Sequence, residues 1–244
     1  MDLPEKAIGP TRTTPKVLLV YGPPKIGKTT ILSGLKNNLI IDLENGTDYV
    51  EALKVKISNL NQLSQVGAKI KEKNCPYNFV TIDTVTRLED WCERNATEKY
   101  KRSFQGKTFK GQSVLELDYG LGYGLLRAEY KSWLERIKTL SDHIILIGHV
   151  KDKIINKDKT EVFVKDINLT GQIKAITASD ADAVGYIYLD PDDTKRRIIT
   201  FFTSDEIICG SRCKDIEGKS FVISEKDDSG EVITSWDNIY PNQQ

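Results

Sequence analysis

The chain carries continuous apolar runs at Val17-Leu18-Leu19-Val20-Tyr21, Leu39-Ile40-Ile41, Phe79-Val80-Thr81-Ile82 and Ile144-Ile145-Leu146-Ile147. Runs that are continuous rather than alternating predict strands covered on both faces, as in a parallel sheet. Helical stripes lie between them. Leu60, Leu63, Val66 and Ile70 fall on one helical face, and Leu126, Tyr130, Trp133, Leu134 and Ile137 form another just before the fourth run. Strands alternating with helices imply crossover connections and a doubly wound, mostly parallel α/β sheet.

From about residue 183 the pattern changes. Val184–Leu189 and Arg197–Phe202 flank the turn-rich Asp190-Pro191-Asp192-Asp193-Thr194, which predicts a hairpin. Shorter β-like pieces are expected around Glu206–Cys209 and Ser220–Ser224. Residues 1–15, broken by Gly9-Pro10 and Thr14-Pro15, read as a mobile leader. Residues 16–240 then read as a single domain with a β-rich C-terminal edge, without linker or repeat.

Composition narrows the class. The 244 residues carry 35 Lys+Arg against 35 Asp+Glu, so nothing in the overall charge suggests a histone-like polycation. No apolar stretch reaches the ~18 residues that a membrane span needs, and the N-terminus lacks the apolar core of a signal peptide. Cys75, Cys92, Cys209 and Cys213 form no C-x-x-C pair and only two histidines exist, which argues against a zinc cage and for free thiols in a reducing cytoplasm.

The chemistry begins immediately after the first run. Gly22-Pro23-Pro24-Lys25-Ile26-Gly27-Lys28-Thr29 satisfies G-x-x-x-x-G-K-[ST], placed between a buried strand and a helix that opens with Thr30, Ile31 and Leu32. Such a loop turns successive backbone N–H groups inward around a phosphate, and the helix dipole adds to the field. Lys28 is placed for the β/γ-phosphates and the Thr29 hydroxyl for Mg²⁺. Lys25 is either a second phosphate contact or a solvated loop lysine.

Ligands of open α/β sheets gather at the carboxyl ends of strands. The third run ends in Asp83, the position of a Walker-B carboxylate holding Mg²⁺, although a helix-capping Asp would look the same. The next residue is Thr84 rather than Glu, so a water-activating base must come from elsewhere or be absent. Glu44, just past the second run, is the candidate, from a strand end that could neighbour the phosphate loop. The fourth run ends in His149, a polar group that could contact a γ-phosphate. His143, at the other end of that strand, reads as structural.

In this order, Gly22–Thr29, Ile41-Asp42-Leu43-Glu44 with Asp48, Ile82-Asp83-Thr84 and Ile147-Gly148-His149 resemble RecA-like P-loop ATPases over about residues 16–215. The resemblance is greatest to compact phage-type versions such as Sak-type single-strand annealing ATPases. It implies ATP and Mg²⁺ as cofactors, Glu44 as the catalytic glutamate, a Ser or Thr after the Walker-B aspartate, and His149 as the polar sensor. It further implies a homo-oligomeric ring or filament in which a basic residue reaches the neighbour's nucleotide, with Arg212 and Lys214 as candidates. For a phage-encoded chain, the compartment would be the host cytoplasm.

Two segments could touch single-stranded DNA. Residues 94–111 carry Arg94, Lys99, Lys101, Arg102, Lys107 and Lys110 against Glu98, interleaved with Tyr100, Phe104 and Phe109. Residues 151–160 carry Lys151, Lys153, Lys157 and Lys159, diluted by Asp152, Asp158 and the adjoining Glu161, where RecA-like proteins place a DNA-binding loop. Gly120–Gly124 could hinge the segment before the long helix. The expected activity is therefore a Mg²⁺-dependent ATPase acting on single-stranded DNA in recombination, annealing or replication. A small-molecule or nucleotide kinase on the same loop, and a nucleotide-switched module that binds a partner without catalysis, are the rival readings.

Overall fold

The computed structural model describes residues 6–157 and 160–241. In chain order the elements are β1 (Val17–Gly22), α1 (Lys28–Ser33), β2 (Asn38–Asp42), β3 (Leu53–Lys56), α2 (Leu60–Glu72), β4 (Phe79–Asp83) and α3 (Val85–Arg102). Next come α4 (Leu121–Ile137), β5 (His143–Lys157), β6 (Thr160–Ile167), α5 (Gly171–Asp180), β7 (Ala183–Leu189) and β8 (Arg196–Thr200). The chain closes with β9 (Gly210–Ser211), β10 (Ser220–Lys226) and β11 (Val232–Thr234). Residues 6–15 hold no helix or strand, although His143 Nδ1 lies 2.8 Å from the Pro15 carbonyl. The first five residues of the expected leader lie outside the described residues.

One sheet runs β11-β10-β8-β7-β1-β5-β4-β2-β3, with β6 paired to β5 and β9 to β7. The strands from β3 to β7 in that order are parallel, and β8, β10 and β11 continue antiparallel from β7. This is the doubly wound, mostly parallel class with a β-rich C-terminal edge that the apolar runs predict. Successive strand residues point to opposite faces, and the core divides accordingly. Leu19, Tyr21, Ile41, Ile82 and Leu146 pack under α2 to α5, while Leu18, Val20, Ile40, Ile145 and Ile147 pack under α1 and the C-terminal Trp236, Ile239 and Tyr240. Burial on both faces is why these strands contain almost no polar residue. Among the described residues, no helix is long and apolar enough to cross a membrane.

Three details differ from the sequence reading. β2 does not neighbour β1, because β5 and β4 lie between them. The fourth apolar run is only the first third of a strand that continues into a long hairpin with β6, Val150 opposite Ile167 through Lys157 opposite Thr160. The β piece expected at Glu206–Cys209 is a single bridge between Ile207 and Lys165, and the strand proper begins only at Gly210–Ser211. The backbone bonds that join that segment to β6 both involve Lys165, Lys165 N to Glu206 O and Ile208 N to Lys165 O, so no ladder develops.

Candidate nucleotide site

Strand register sets the row of functional groups. Gly22 lies beside His149, Asp83 beside Ile147 and Asp42 beside Asp83, all at the carboxyl ends of parallel strands. The apolar runs therefore deliver Gly22, His149, Asp83 and Asp42 to one edge of the sheet, although they are scattered along the chain.

The loop from Gly22 to Thr29 closes tightly against the sheet. A Cβ on Gly22 would lie 2.6 Å from the Ile187 carbonyl oxygen of β7, so only glycine lets the two backbones approach this closely. Gly27 takes φ 89°, the left-handed conformation from which α1 starts, and no side chain among the described residues caps that helix. Its amides are thus left to whatever the loop encloses. Pro24 and Lys25 are exposed at the tip, Ile26 is buried beneath it, and Thr30 continues α1 half-buried. Lys28 is buried, with Nζ donating to the Gly22 carbonyl at 3.0 Å and the Pro23 carbonyl at 2.8 Å. Burial pulls its ammonium below the usual lysine range, opposed by the charges of Asp83 and Glu44.

Thr29 and Asp83 meet as the spacing of the two motifs suggests: Thr29 Oγ1 donates to Asp83 Oδ2 at 2.7 Å. Burial raises the Asp83 carboxyl, and the Thr29 hydrogen bond is the main counterweight. The peptide between Asp83 and Thr84 is cis.

Glu44 reaches this edge although its strand is distant from the loop. Its Oε1 accepts the Thr84 hydroxyl at 2.7 Å, and His149 Nε2 lies 3.1 Å from both Glu44 oxygens. The bond to His149, with Thr84 assisting, holds the Glu44 carboxyl below its ordinary value against the effect of burial. The base candidate, the residue after Asp83 and the sensor candidate thus form one hydrogen-bonded cluster.

What aims Glu44 is Asp42, which the sequence reading did not single out. This carboxylate is fully buried and accepts from Glu44 N at 2.9 Å, Gly46 N at 3.3 Å, Thr47 N at 3.0 Å and Thr47 Oγ1 at 2.7 Å. Burial raises its pKa, but these bonds together outweigh burial and leave it lowered. The signal was present in Asp42-Leu43-Glu44-Asn45-Gly46-Thr47, where an Asp precedes an Asn-Gly turn and can bond the backbone beyond it. A second unforeseen contact is Arg197 on β8, whose Nε donates to the Ile26 carbonyl at 2.5 Å.

Not every candidate converges here. Arg212 donates to the Ser179 carbonyl at 2.6 Å and lies 3.7 Å from Asp182, which is bonded to the start of β1. It therefore sits at the opposite end of the sheet from its own phosphate loop. Lys214 is exposed in the same region, and Asp48 pairs with Lys56. Of the lysines after His149, Lys151 Nζ donates to the Leu169 carbonyl at 2.9 Å and Lys153 is exposed. Lys159 lies outside the described residues, as does Asp158.

The residues present fit a magnesium nucleotide. The loop is shaped by Gly22, where a Cβ would be blocked, and by the left-handed Gly27, Lys28 is buried within it, and a threonine–aspartate pair stands beside it. Among the described residues no group of three or more His, Cys, Asp or Glu could hold a metal alone; Thr29 and Asp83 are the groups that would share a Mg²⁺ with bound phosphates.

A strand–loop–helix phosphate cradle with a paired aspartate at the end of a non-adjacent strand defines the P-loop class of nucleotide-binding domains. Within it, the chain belongs to the family described as "AAA domain", whose model matches residues 14–213. No curated protein matches the sequence. A solved structure titled "Crystal structure of the RadB recombinase" is similar over 91% of this chain and 92% of its own, at 12% identity and a TM-score of 0.48.

Proposed function

We propose that the protein is a Mg²⁺-dependent ATPase that acts on single-stranded DNA, in annealing or recombination of the phage Sak type. The single observation that carries the catalytic part is the Glu44–Thr84–His149 cluster beside the phosphate loop. Bound MgATP would supply the phosphoanhydride to be cleaved, held by the loop amides, Lys28, Thr29 and Asp83. Lys28 keeps a cation beside the phosphates in a site where burial magnifies its field. Glu44, held ionised by its hydrogen bonds, accepts the proton of an attacking water. His149 ties Glu44 to the base of the β5–β6 hairpin, so a change at Glu44 is felt where that hairpin leaves the sheet.

The DNA part rests on the surface around that hairpin. Thr86 Oγ1 donates to Asn168 O and Thr170 N to Glu89, so the return of β6 is fastened to α3. From there α3 leads into the 94–111 segment. Phe104 is exposed with the Lys107 ammonium 5.6 Å from its ring centre, and Tyr100 meets Phe109 edge to face at 5.5 Å. Lys99 pairs with Glu129, whereas Arg94, Lys101 and Lys110 have no acid within 4.0 Å among the described residues. Cations without an acid partner near the exposed Phe104 ring suit sequence-tolerant binding of a single strand. A ring or filament belongs to the same reading: Arg212, placed away from its own loop, could reach only a neighbour's phosphate.

Phosphate release from MgATP, with and without single-stranded DNA, tests the proposal. Turnover is expected to rise with DNA, and Glu44→Gln to lower it by about 10²-fold or more while nucleotide affinity holds. Turnover that depends on a small phosphate acceptor instead of DNA would refute it.

A further inference from the structure

The match to the family ends at residue 213, yet residues beyond it grip the first helix, and one of them steadies the arginine that holds the phosphate loop. α1 has only six residues and no side-chain cap among the described residues. A helix this short has no stability of its own, and its last bonds are already of the tighter i+3 type, Gly34 N to Ile31 O and Leu35 N to Leu32 O. The conformation of the loop and of Lys28 and Thr29 therefore depends on what holds α1 in place.

Part of that support is the sheet beneath. The other part comes from the C-terminal edge at three points. Arg197 Nε donates to the Ile26 carbonyl at 2.5 Å, and its guanidinium atoms lie 3.3 to 3.5 Å from where a Gly27 Cβ would stand, covering the outer side of the loop. Arg197 is steadied by Ser224 of β10, its Nη1 3.4 Å from Ser224 Oγ, and has no acid within 4.0 Å among the described residues. Trp236, buried, donates from Nε1 to the Ile31 carbonyl at 3.0 Å, satisfying an acceptor in the final turn of α1. Thr234 of β11 packs against Gly34 so closely that a Cβ there would collide with it.

We infer that Arg197 and Trp236 are positioning residues of the nucleotide site: Arg197 braces the loop from outside, and the C-terminal segment 220–241 braces α1 through Trp236 and Thr234 and steadies Arg197 through Ser224. The inference rests on the reading of the loop as a nucleotide site. Arg197 fixes the loop backbone between its two glycines, and Trp236 fixes the far end of the helix carrying Lys28 and Thr29. Nucleotide affinity is thereby coupled to the antiparallel edge of the sheet, a region that carries none of the loop's own motif.

Arg197→Lys keeps the charge and loses the directed Nε bond, while Trp236→Phe keeps most of the buried ring and loses the N–H. Both would be compared with wild type by MgATP calorimetry at a temperature where all three are fully folded, and by amide exchange over residues 26–33 without nucleotide. Each variant is expected to bind MgATP about tenfold more weakly, with faster exchange in that segment and a rise in KM larger than any fall in kcat. Unchanged affinity in both folded variants, whatever their melting temperatures, would overturn the inference and leave the residues as packing alone. Absence of uptake by wild type would instead overturn the nucleotide reading, and this inference with it.

Discussion

Replacing Thr29 by Val removes one hydroxyl at nearly constant shape. In the structure that hydroxyl donates at 2.7 Å to Asp83 Oδ2, the only side-chain donor among the described residues to a carboxylate that is 6% exposed. A hydrogen bond to a charged buried group contributes about 2 kcal/mol. Unfolding entropy near 60 °C is about 2.1 cal/mol/K per residue, which for a chain of this length comes to about 0.5 kcal/mol/K. The variant should therefore melt about 4 °C lower at neutral pH. The pH dependence is set by the direction of the Asp83 shift. Its folded pKa already lies above the ordinary value because of burial, so its ionised form costs the fold stability, and that cost vanishes as the group protonates. Loss of the Thr29 bond raises the pKa further. The gap between wild type and variant should thus be full above the raised pKa and shrink as the pH falls through it. Thermal melts of both proteins across the carboxylate range measure this. A gap that is absent, or that does not narrow with acid, would refute the hydrogen bond as the main counterweight to the burial of Asp83.

Two further outcomes concern the same edge of the sheet. Asp83→Asn removes the buried charge while leaving an oxygen for Thr29, so it should melt higher than wild type near neutral pH yet lose Mg²⁺-dependent turnover; a lower melting temperature would contradict the assigned cost of that carboxylate. Gly22→Ala places a Cβ 2.6 Å from the Ile187 carbonyl; it should cost about 1–3 kcal/mol of stability by denaturant titration and weaken nucleotide binding, and a neutral result would show that β1 and β7 separate freely.

Much of this was legible in the residues, for identifiable reasons. Strands buried on both faces leave no room for polar residues, so β1, β2, β4 and the start of β5 stand out as apolar runs. The phosphate loop is legible because a glycine–lysine–threonine constellation is required over a short span. Where one face is wet or the partner distant, the signal fades. β3, Leu53-Lys54-Val55-Lys56, is an edge strand with a mixed pattern, and the β5–β6 hairpin is dense in lysine and aspartate. Its two strands pair with each other rather than burying both faces in the core. Glu44 was identifiable from its place just past an apolar run, but its partners were not, since Thr84 is 40 residues away and His149 105. Arg197 contacts Ile26 across 171 residues, and no local pattern reports such a pairing. The place of Arg212 was equally illegible: only the fold puts it beside Ser179 and Asp182, at the end of the sheet away from its own loop.

The central claim is that the loop after β1 holds a magnesium nucleotide. Titration calorimetry of the intact chain with MgATP tests it most directly. One site per chain is predicted, lost or strongly weakened in Lys28→Ala and dependent on Mg²⁺. No heat of binding in wild type, or equal binding by a folded Lys28→Ala protein, would contradict the account.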